Sequence, residues 1–187
     1  YFCTLRIACQ HALREHVRNH YNQPERTNTK KRHNNERREM SSNKLMERVK
    51  NLLEKRGRKA YEIAKEQILN EEIAYEPIRE ALQYFIQELW HNFQHPALLS
   101  LTCESVGGKT ENTTSIGVAL ILLTGAADIH DDIVDQSETK GSKPTVFGKF
   151  GRDIALLAGD ALILKGCTLL QKACEELPKK QGEAITN

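Results

Sequence analysis

Asp128, Asp131, Asp132 and Asp135 stand at i, i+3, i+4 and i+7, so a helix running through them carries four carboxylates along one face. Like charges at i,i+4 destabilise an isolated helix by roughly 0.2–0.5 kcal/mol per pair, and aspartate is a poor helix former. All six aspartates of the chain fall between 128 and 160, a stretch that holds only one of its nineteen glutamates, Glu138. A face meant only for solvent is built from glutamate and lysine, as the other helical stretches are. Massed aspartates make sense if a hard divalent cation neutralises them. Mg²⁺ takes one or two carboxylates, keeps several waters and accepts phosphate oxygens as further ligands.

The next segment, roughly 136–151, supplies the opposite charge. Lys140, Lys143 and Lys149 lie in it and Arg152 follows, while Gly141, Pro144, Gly148 and Gly151 shape the backbone without apolar bulk. A carboxylate face with a long basic loop beside it forms a clamp for a metal-bound diphosphate, with Lys140 and Lys143 as the phosphate contacts. A connection this long inside a helical domain is more often functional than idle. Just upstream, Leu120 to Leu123 make an apolar wall, and Gly125, Ala126 and Ala127 leave room beside it. Metal and phosphate at the mouth with an apolar cavity behind describe a site for a prenyl chain.

Helices must hold these groups in place. Ser41 or Ser42 caps a first helix carrying Leu45, Val49, Leu52 and Leu53, with Gly57 a weak point. Pro77 suits the first turn of a second helix. There Ile78, Ala81, Leu82, Phe85, Ile86, Leu89 and Trp90 form an apolar stripe that must face other helices. Pro96 opens a third helix that stops at Gly107-Gly108, and Thr113 or Thr114 caps a fourth that runs into the aspartates. A fifth spans Asp153 to Glu176 before Pro178. No strand alternation and no repeat is visible, so the fold class is all-α, a multi-helix bundle.

Composition agrees and excludes several classes. The 187 residues are 39% hydrophobic but only 6% aromatic, which favours helix over a β-sandwich. Five cysteines without a C-x-x-C pair argue against a disulfide framework and a structural zinc site. Cys167 and Cys174, seven apart on one helical face, read as core thiols. Ile116 to Ala127, the longest apolar run, is too short to cross a bilayer, and the N-terminus lacks the pattern of a signal peptide. No transmembrane segment and no nucleic-acid partner are expected, and the location expected is cytoplasmic. Charge is uneven along the chain: residues 1–39 hold nine Lys/Arg and four Glu, whereas residues 40–187 hold eighteen Lys/Arg and twenty-one Asp/Glu. The basic segment 1–39, poor in large apolar residues, is expected to be a disordered or non-native extension, with the working protein starting at Met40.

The run I-H-D-D-I-V-D-Q-S-E-T-K-G-S-K-P-T-V-F-G-K-F-G over 129–151 resembles the first aspartate-rich region of the trans-isoprenyl diphosphate synthases, the polyprenyl synthetase family. I-A-L-L-A-G-D-A-L over 154–162 resembles that family's next helix, and P-A-L-L-S-L-T-C-E-S-V-G-G over 96–108 lies where an earlier one belongs. The resemblance implies an isoprenoid-synthase-type bundle, with residues 40–187 as the N-terminal part of its domain. It implies that Asp131, Asp132 and Asp135 bind Mg²⁺ gripping an allylic diphosphate. Loss of diphosphate then leaves an allylic cation, which the double bond of isopentenyl diphosphate attacks. Small residues at Ala126 and Ala127 imply a deep pocket and a product of geranylgeranyl length or longer. A homodimer or heterodimer is implied as well.

Departures from the family pattern gather on the isopentenyl side. Its Lys and Arg before the Pro-Ala-Leu stretch correspond to Asn92 and His95, a His seven residues before the motif to Thr124, and the second of two arginines to Gly141. The chain also ends at Asn187 before a second aspartate-rich motif, so these residues alone are expected to be inactive. Two other readings stand beside the enzyme: a non-catalytic or regulatory subunit of a prenyl synthase, and an HD-type metal-dependent phosphohydrolase built on His130-Asp131. Gly107-Gly108-Lys109-Thr110 mimics a phosphate loop, but no strand precedes it, so it reads as a helix C-cap. Asp160 reads as a hydrogen-bonding residue of the bundle interior, and Asp128 as an indirect support of the metal site at best.

Overall fold

A computed structural model of the protein describes residues 29–177 and Ile185, with side chains from Asn43 onward. The chain divides into two compact units, Tyr1–Leu45 and Met46–Asn187. Of the first unit, only the opening stretch of α1 is described. In chain order the helices are α1 (Thr29–Leu69), α2 (Glu76–Tyr84), α3 (Gln94–Ser105), α4 (Thr114–Val134), α5 (Val146–Phe150) and α6 (Arg152–Glu175). A π turn, Phe85–Leu89, extends α2, a 3₁₀ turn, Thr110–Thr113, precedes α4, and a small hairpin joins β1 (Thr139–Lys140) to β2 (Lys143–Pro144). The all-α expectation is met.

Helix α1 begins at Thr29, not at Ser41 or Ser42. No Gly or Pro interrupts residues 29–56, and their many Lys, Arg and Glu are good helix formers. Residues 1–28 of the expected extension lie outside the described residues. Nor does Gly57 break the helix. A Cβ there would lie 2.6 Å from the Phe93 carbonyl oxygen, so the glycine allows the backbone before α3 to approach closely.

The second unit is organised around α4 and α6. Val118, Ile121, Leu122, Ala126 and Ile129 of α4 meet Ala155, Ala158 and Leu162 of α6 in one core, which Ala60, Tyr61, Ala64 and Ile68 of α1 and Ala81, Leu82, Phe85 and Ile86 complete. The apolar stripe beginning at Ile78 therefore turns inward, and its most buried members are unavailable to a dimer partner. Within the π turn the Trp90 N–H reaches the Phe85 carbonyl at 2.8 Å. The buried Tyr61 hydroxyl donates to the Ile86 carbonyl at 2.9 Å, tying α1 to this irregular turn.

Two turns end their helices in the same way. After α3, Gly107 adopts φ +80°, and the N–H groups of Gly108 and Gly107 reach the carbonyls of Cys103 and Glu104 at 2.9 and 3.0 Å. This is a Schellman cap, as expected for the paired glycines. After α4, Gln136 takes the left-handed position at φ 54°, and Ser137 N–H donates to the Asp132 carbonyl at 2.8 Å. The second cap reverses the chain just past the aspartates.

Two expectations need correction. The stretch 110–134 is long and apolar enough to cross a membrane by length and composition, because its helix runs past the apolar run at both ends. Half of its most apolar part is buried inside the fold, as befits the central helix of a bundle. Of the two cysteines on one face of α6, Cys174 is buried but Cys167 is exposed, since the middle of that face, with Leu164, has no cover among the described residues.

Candidate functional site

Helix α4 places the four aspartates on one side of its last two turns, and the residues split by depth. Asp132 is buried, Asp128 and Asp131 are partly buried, and Asp135 at the cap is exposed. Lys140, on β1, reaches back over this face. Its ammonium pairs with the Asp128 carboxylate and lies 3.0 Å from that of Asp132. Burial raises the Asp132 carboxyl above the ordinary range, Lys140 pulls it down, and the charges of Asp128 and Asp131 push it up again.

Lys143 is placed elsewhere. Its ammonium donates to the Glu88 carbonyl at 2.9 Å and to the Glu88 carboxylate at 2.8 Å, holding the hairpin to the π turn. That hydrogen bond and charge hold Glu88 below the usual carboxylate range. Lys149 lies over the Tyr84 ring, 3.7 Å from its centre, and the Tyr84 hydroxyl donates to the Pro144 carbonyl at 2.8 Å. Of the basic residues expected at the phosphate, the structure brings Lys140 to the aspartates and assigns Lys143 to anchoring the loop.

The loop is more ordered than its Lys, Gly and Pro content suggests. Thr145 is fully buried: its N–H donates to Glu138, its hydroxyl donates to the Ser137 carbonyl at 2.7 Å, and its Oγ1 accepts from Gly148 N–H at 2.9 Å. Thr145 thereby caps α5 and ties it to the chain leaving the aspartate face. The signal is a threonine just before Val146-Phe147-Gly148, an N-cap pattern hidden within a segment that reads as loop. Tyr84 and Glu88 carry no comparable signal, because their partners lie 60 and 55 residues away.

Ala126 is fully buried in the core, whereas Ala127 is exposed. The two alanines expected to line one pocket thus differ in environment, as adjacent helical positions must. The cavity of about 350 Å³ found elsewhere is lined by Ile68, Glu71, Ile73, Leu82, Leu162 and Lys165, among others, with α1, α2 and α6 as its walls.

His130 packs across to α6. Its Nε2 lies 3.4 Å from the Leu156 carbonyl and 3.4 Å from Asp160, and a Cβ on Gly159 would fall 2.3 Å from it. Asp160 is exposed rather than interior, because it follows the small residues that face α4. His130 therefore serves the α4–α6 contact. Among the described residues no three His, Cys, Asp or Glu side chains converge as a closed metal site. Zinc, which takes three or four protein ligands, does not fit that donor set. Magnesium does, because Asp131 and Asp135, one helical turn apart, supply hard oxygens and leave other positions to water and phosphate.

At the start of α3 and in the middle of α4, the positions that depart from the family pattern have local tasks. Asn92 Oδ1 accepts from Gln94 N–H at 2.9 Å, and Thr124 Oγ1 donates to the Leu120 carbonyl at 2.7 Å. His95 is half-buried, its Nδ1 has no partner among the described residues, and burial pushes its pKa down.

The chain is a helical bundle whose central apolar helix ends in carboxylates under a pinned cationic loop, and its solved structural neighbours are isoprenyl synthases of the same all-α class. Comparison with known proteins agrees. The sequence pattern of the family described as "Polyprenyl synthetase" matches residues 76–186, and the chain belongs to that family. It is 36% identical over 85 residues to the geranylgeranyl diphosphate synthase of Sulfolobus acidocaldarius and 37% identical over 90 to that of Methanosarcina mazei. These matches cover 46% and 48% of this chain and 26% of each relative, so the chain spans about a quarter of their length. The solved geranylgeranyl pyrophosphate synthetase from Pyrococcus horikoshii Ot3 superposes with TM-score 0.63 at 26% identity, over 74% of this chain and 42% of that one.

Proposed function

We propose that the protein acts in trans-prenyl transfer, joining an allylic diphosphate to isopentenyl diphosphate, with Mg²⁺ held at Asp131, Asp132 and Asp135. The observation that carries this reading is the aspartate end of apolar α4 with Lys140 folded over it, in a chain of the polyprenyl synthetase family. Asp131 and Asp135 offer the first carboxylates to the ion, and Asp132, deeper and tempered by Lys140, completes the anionic face. Lys140 offers its ammonium to the diphosphate oxygens. Buried Ile129 and Leu122 keep water from the body of α4 behind this face. When bound, the ion supplies Lewis-acid withdrawal of charge from the leaving diphosphate. The product length is left to the family resemblance, because Ala126 is buried in the core and Ala127 is exposed.

A second reading, a non-catalytic subunit of a prenyl synthase, is favoured by Asn92, His95 and Thr124, which carry no fixed positive charge where the family has cations or a histidine. The phosphohydrolase reading loses support because His130 is engaged with α6.

Calorimetry of the 187-residue chain with inorganic pyrophosphate tests the site. Binding is expected in Mg²⁺ and not in EDTA, with a loss of about 100-fold or more when Asp131→Asn and Asp135→Asn are combined, since each removes a charged ligand. Equal binding by that double variant would refute the metal assignment. Allylic diphosphate with labelled isopentenyl diphosphate then separates the two readings. Because the 187 residues alone are expected to be inactive, this assay uses the chain together with any downstream sequence. Product without an added subunit favours the enzyme, and product only with added catalytic subunit favours the accessory role.

A further inference from the structure

Lys140 is shared between two carboxylates, those of Asp128 and Asp132, which lie one helical turn apart on α4. The side chains of Asp128 and Asp132 are 17% and 8% exposed and that of Lys140 38%, so the arrangement sits in a shallow recess. Charge-assisted bonds are stronger there than in open water. The ammonium thus occupies a carboxylate that the metal reading above gives to the divalent ion. An ion arriving alone must displace it from Asp132, leaving Lys140 with Asp128 only. An ion arriving with diphosphate brings new acceptor oxygens for the same ammonium. The displaced contact is then replaced.

We propose that Asp128 is a positioning residue that holds Lys140 on Asp132 as an internal counter-ion, so that uptake of the divalent cation is coupled to uptake of diphosphate. This rests on the metal reading of Asp131, Asp132 and Asp135. By linkage the coupling is reciprocal: pyrophosphate tightens the cation as much as the cation tightens pyrophosphate. Asp128 keeps Lys140 beside the site whenever the ammonium leaves Asp132. Without that anchor the lysine has a longer search to reach the phosphate.

The test measures Mn²⁺ binding to the 187-residue chain by electron paramagnetic resonance, with and without inorganic pyrophosphate. Folding of each variant is followed by helical circular dichroism. Lys140→Gln is expected to tighten Mn²⁺ alone by roughly threefold to tenfold, the scale of a partly buried ion pair, and to remove most of the enhancement by pyrophosphate. Asp128→Asn is expected to reduce that enhancement and Asp128→Glu to restore it, which a merely structural role for Asp128 does not predict. The inference is wrong if Lys140→Gln leaves both quantities at wild-type values, or if Asn and Glu at 128 behave alike. The Asp131→Asn, Asp135→Asn double variant separates the two claims. If it abolishes Mn²⁺-pyrophosphate binding while Lys140→Gln behaves as wild type, the metal reading stands and the coupling falls. If the wild-type chain binds no Mn²⁺ under either condition, both fall.

Discussion

The acidic end of α4 and the start of α3 are both places where the family pattern puts charge, yet the chain treats them differently. At the first, Lys140 meets two carboxylates, and in the loop beyond it Lys143 meets a carboxylate and Lys149 an aromatic ring on other elements. At the second, Asn92 turns to neighbouring backbone, and the Nδ1 of His95 and the Nε1 of Trp90 are buried without partners among the described residues. One region is selected by charge complementarity across the fold, the other by packing and local hydrogen bonds. A lysine whose counter-charges are supplied by distant elements is costly to lose, whereas a neutral group serving its own turn is free of that constraint.

The sharpest way to break the comparison is to unseat the charged region without touching a charge. A Cβ on Gly148 would come 2.1 Å from the Glu138 carbonyl oxygen, a backbone atom that cannot rotate away. Gly148→Ala should therefore force α5 from the chain leaving the aspartates. It should cost about 2–3 kcal/mol, as overpacking does, and weaken Mg²⁺-dependent pyrophosphate binding as Lys140 loses its support. Urea unfolding and calorimetry together read both effects. An unchanged midpoint with unchanged binding would show that the loop is not held as described.

The second region is tested through proton uptake. The unfolded chain protonates His95 near the ordinary value, about 6.5, while burial lowers its pKa in the folded state. Its contribution is thus fully present above about pH 6.5, and it is lost as the pH falls below that value towards the lower folded pKa, because the unfolded state then binds more protons. His95→Gln should flatten the decline of the thermal midpoint between about pH 7 and pH 5 relative to wild type. A profile parallel to wild type would mean that His95 is no more buried folded than unfolded.

The legibility of the two regions in the sequence differs for the same reasons. The aspartate spacing, the helix boundaries at Thr113 and Gly107, and the inward stripe through Ala81, Leu82, Phe85 and Ile86 are local patterns, and periodicity and turn chemistry read them. The partners of the loop lysines are not local. Nothing near Lys143 in the chain distinguishes it from Lys140, and only the fold sends one to Glu88 and the other to Asp132. The π turn is equally hidden, since its residues continue a helical apolar stripe and differ only in backbone bonding. The start of α1 is misleading in the sequence because a strong cap signal at Ser41-Ser42 competes with the helix propensity of the polar residues before it.

The smallest expected effect separates two ways of anchoring the loop. Tyr84 contributes a hydroxyl to the Pro144 carbonyl and a ring beneath Lys149, against which Phe150 packs edge-on at 5.8 Å. Tyr84→Phe removes the hydroxyl alone, and because that bond is exposed the expected cost is about 0.5–1 kcal/mol. The ring contact remains, so the cation–π contribution should survive, and Lys149→Met should cost the same in the wild-type and Tyr84→Phe backgrounds. A coupling between the two changes, measured by a double-mutant cycle in urea, would mean that the hydroxyl positions the ring for the lysine. The loop would then be held by one cooperative unit, and the charge-based account of the acidic region would need an aromatic anchor at its base.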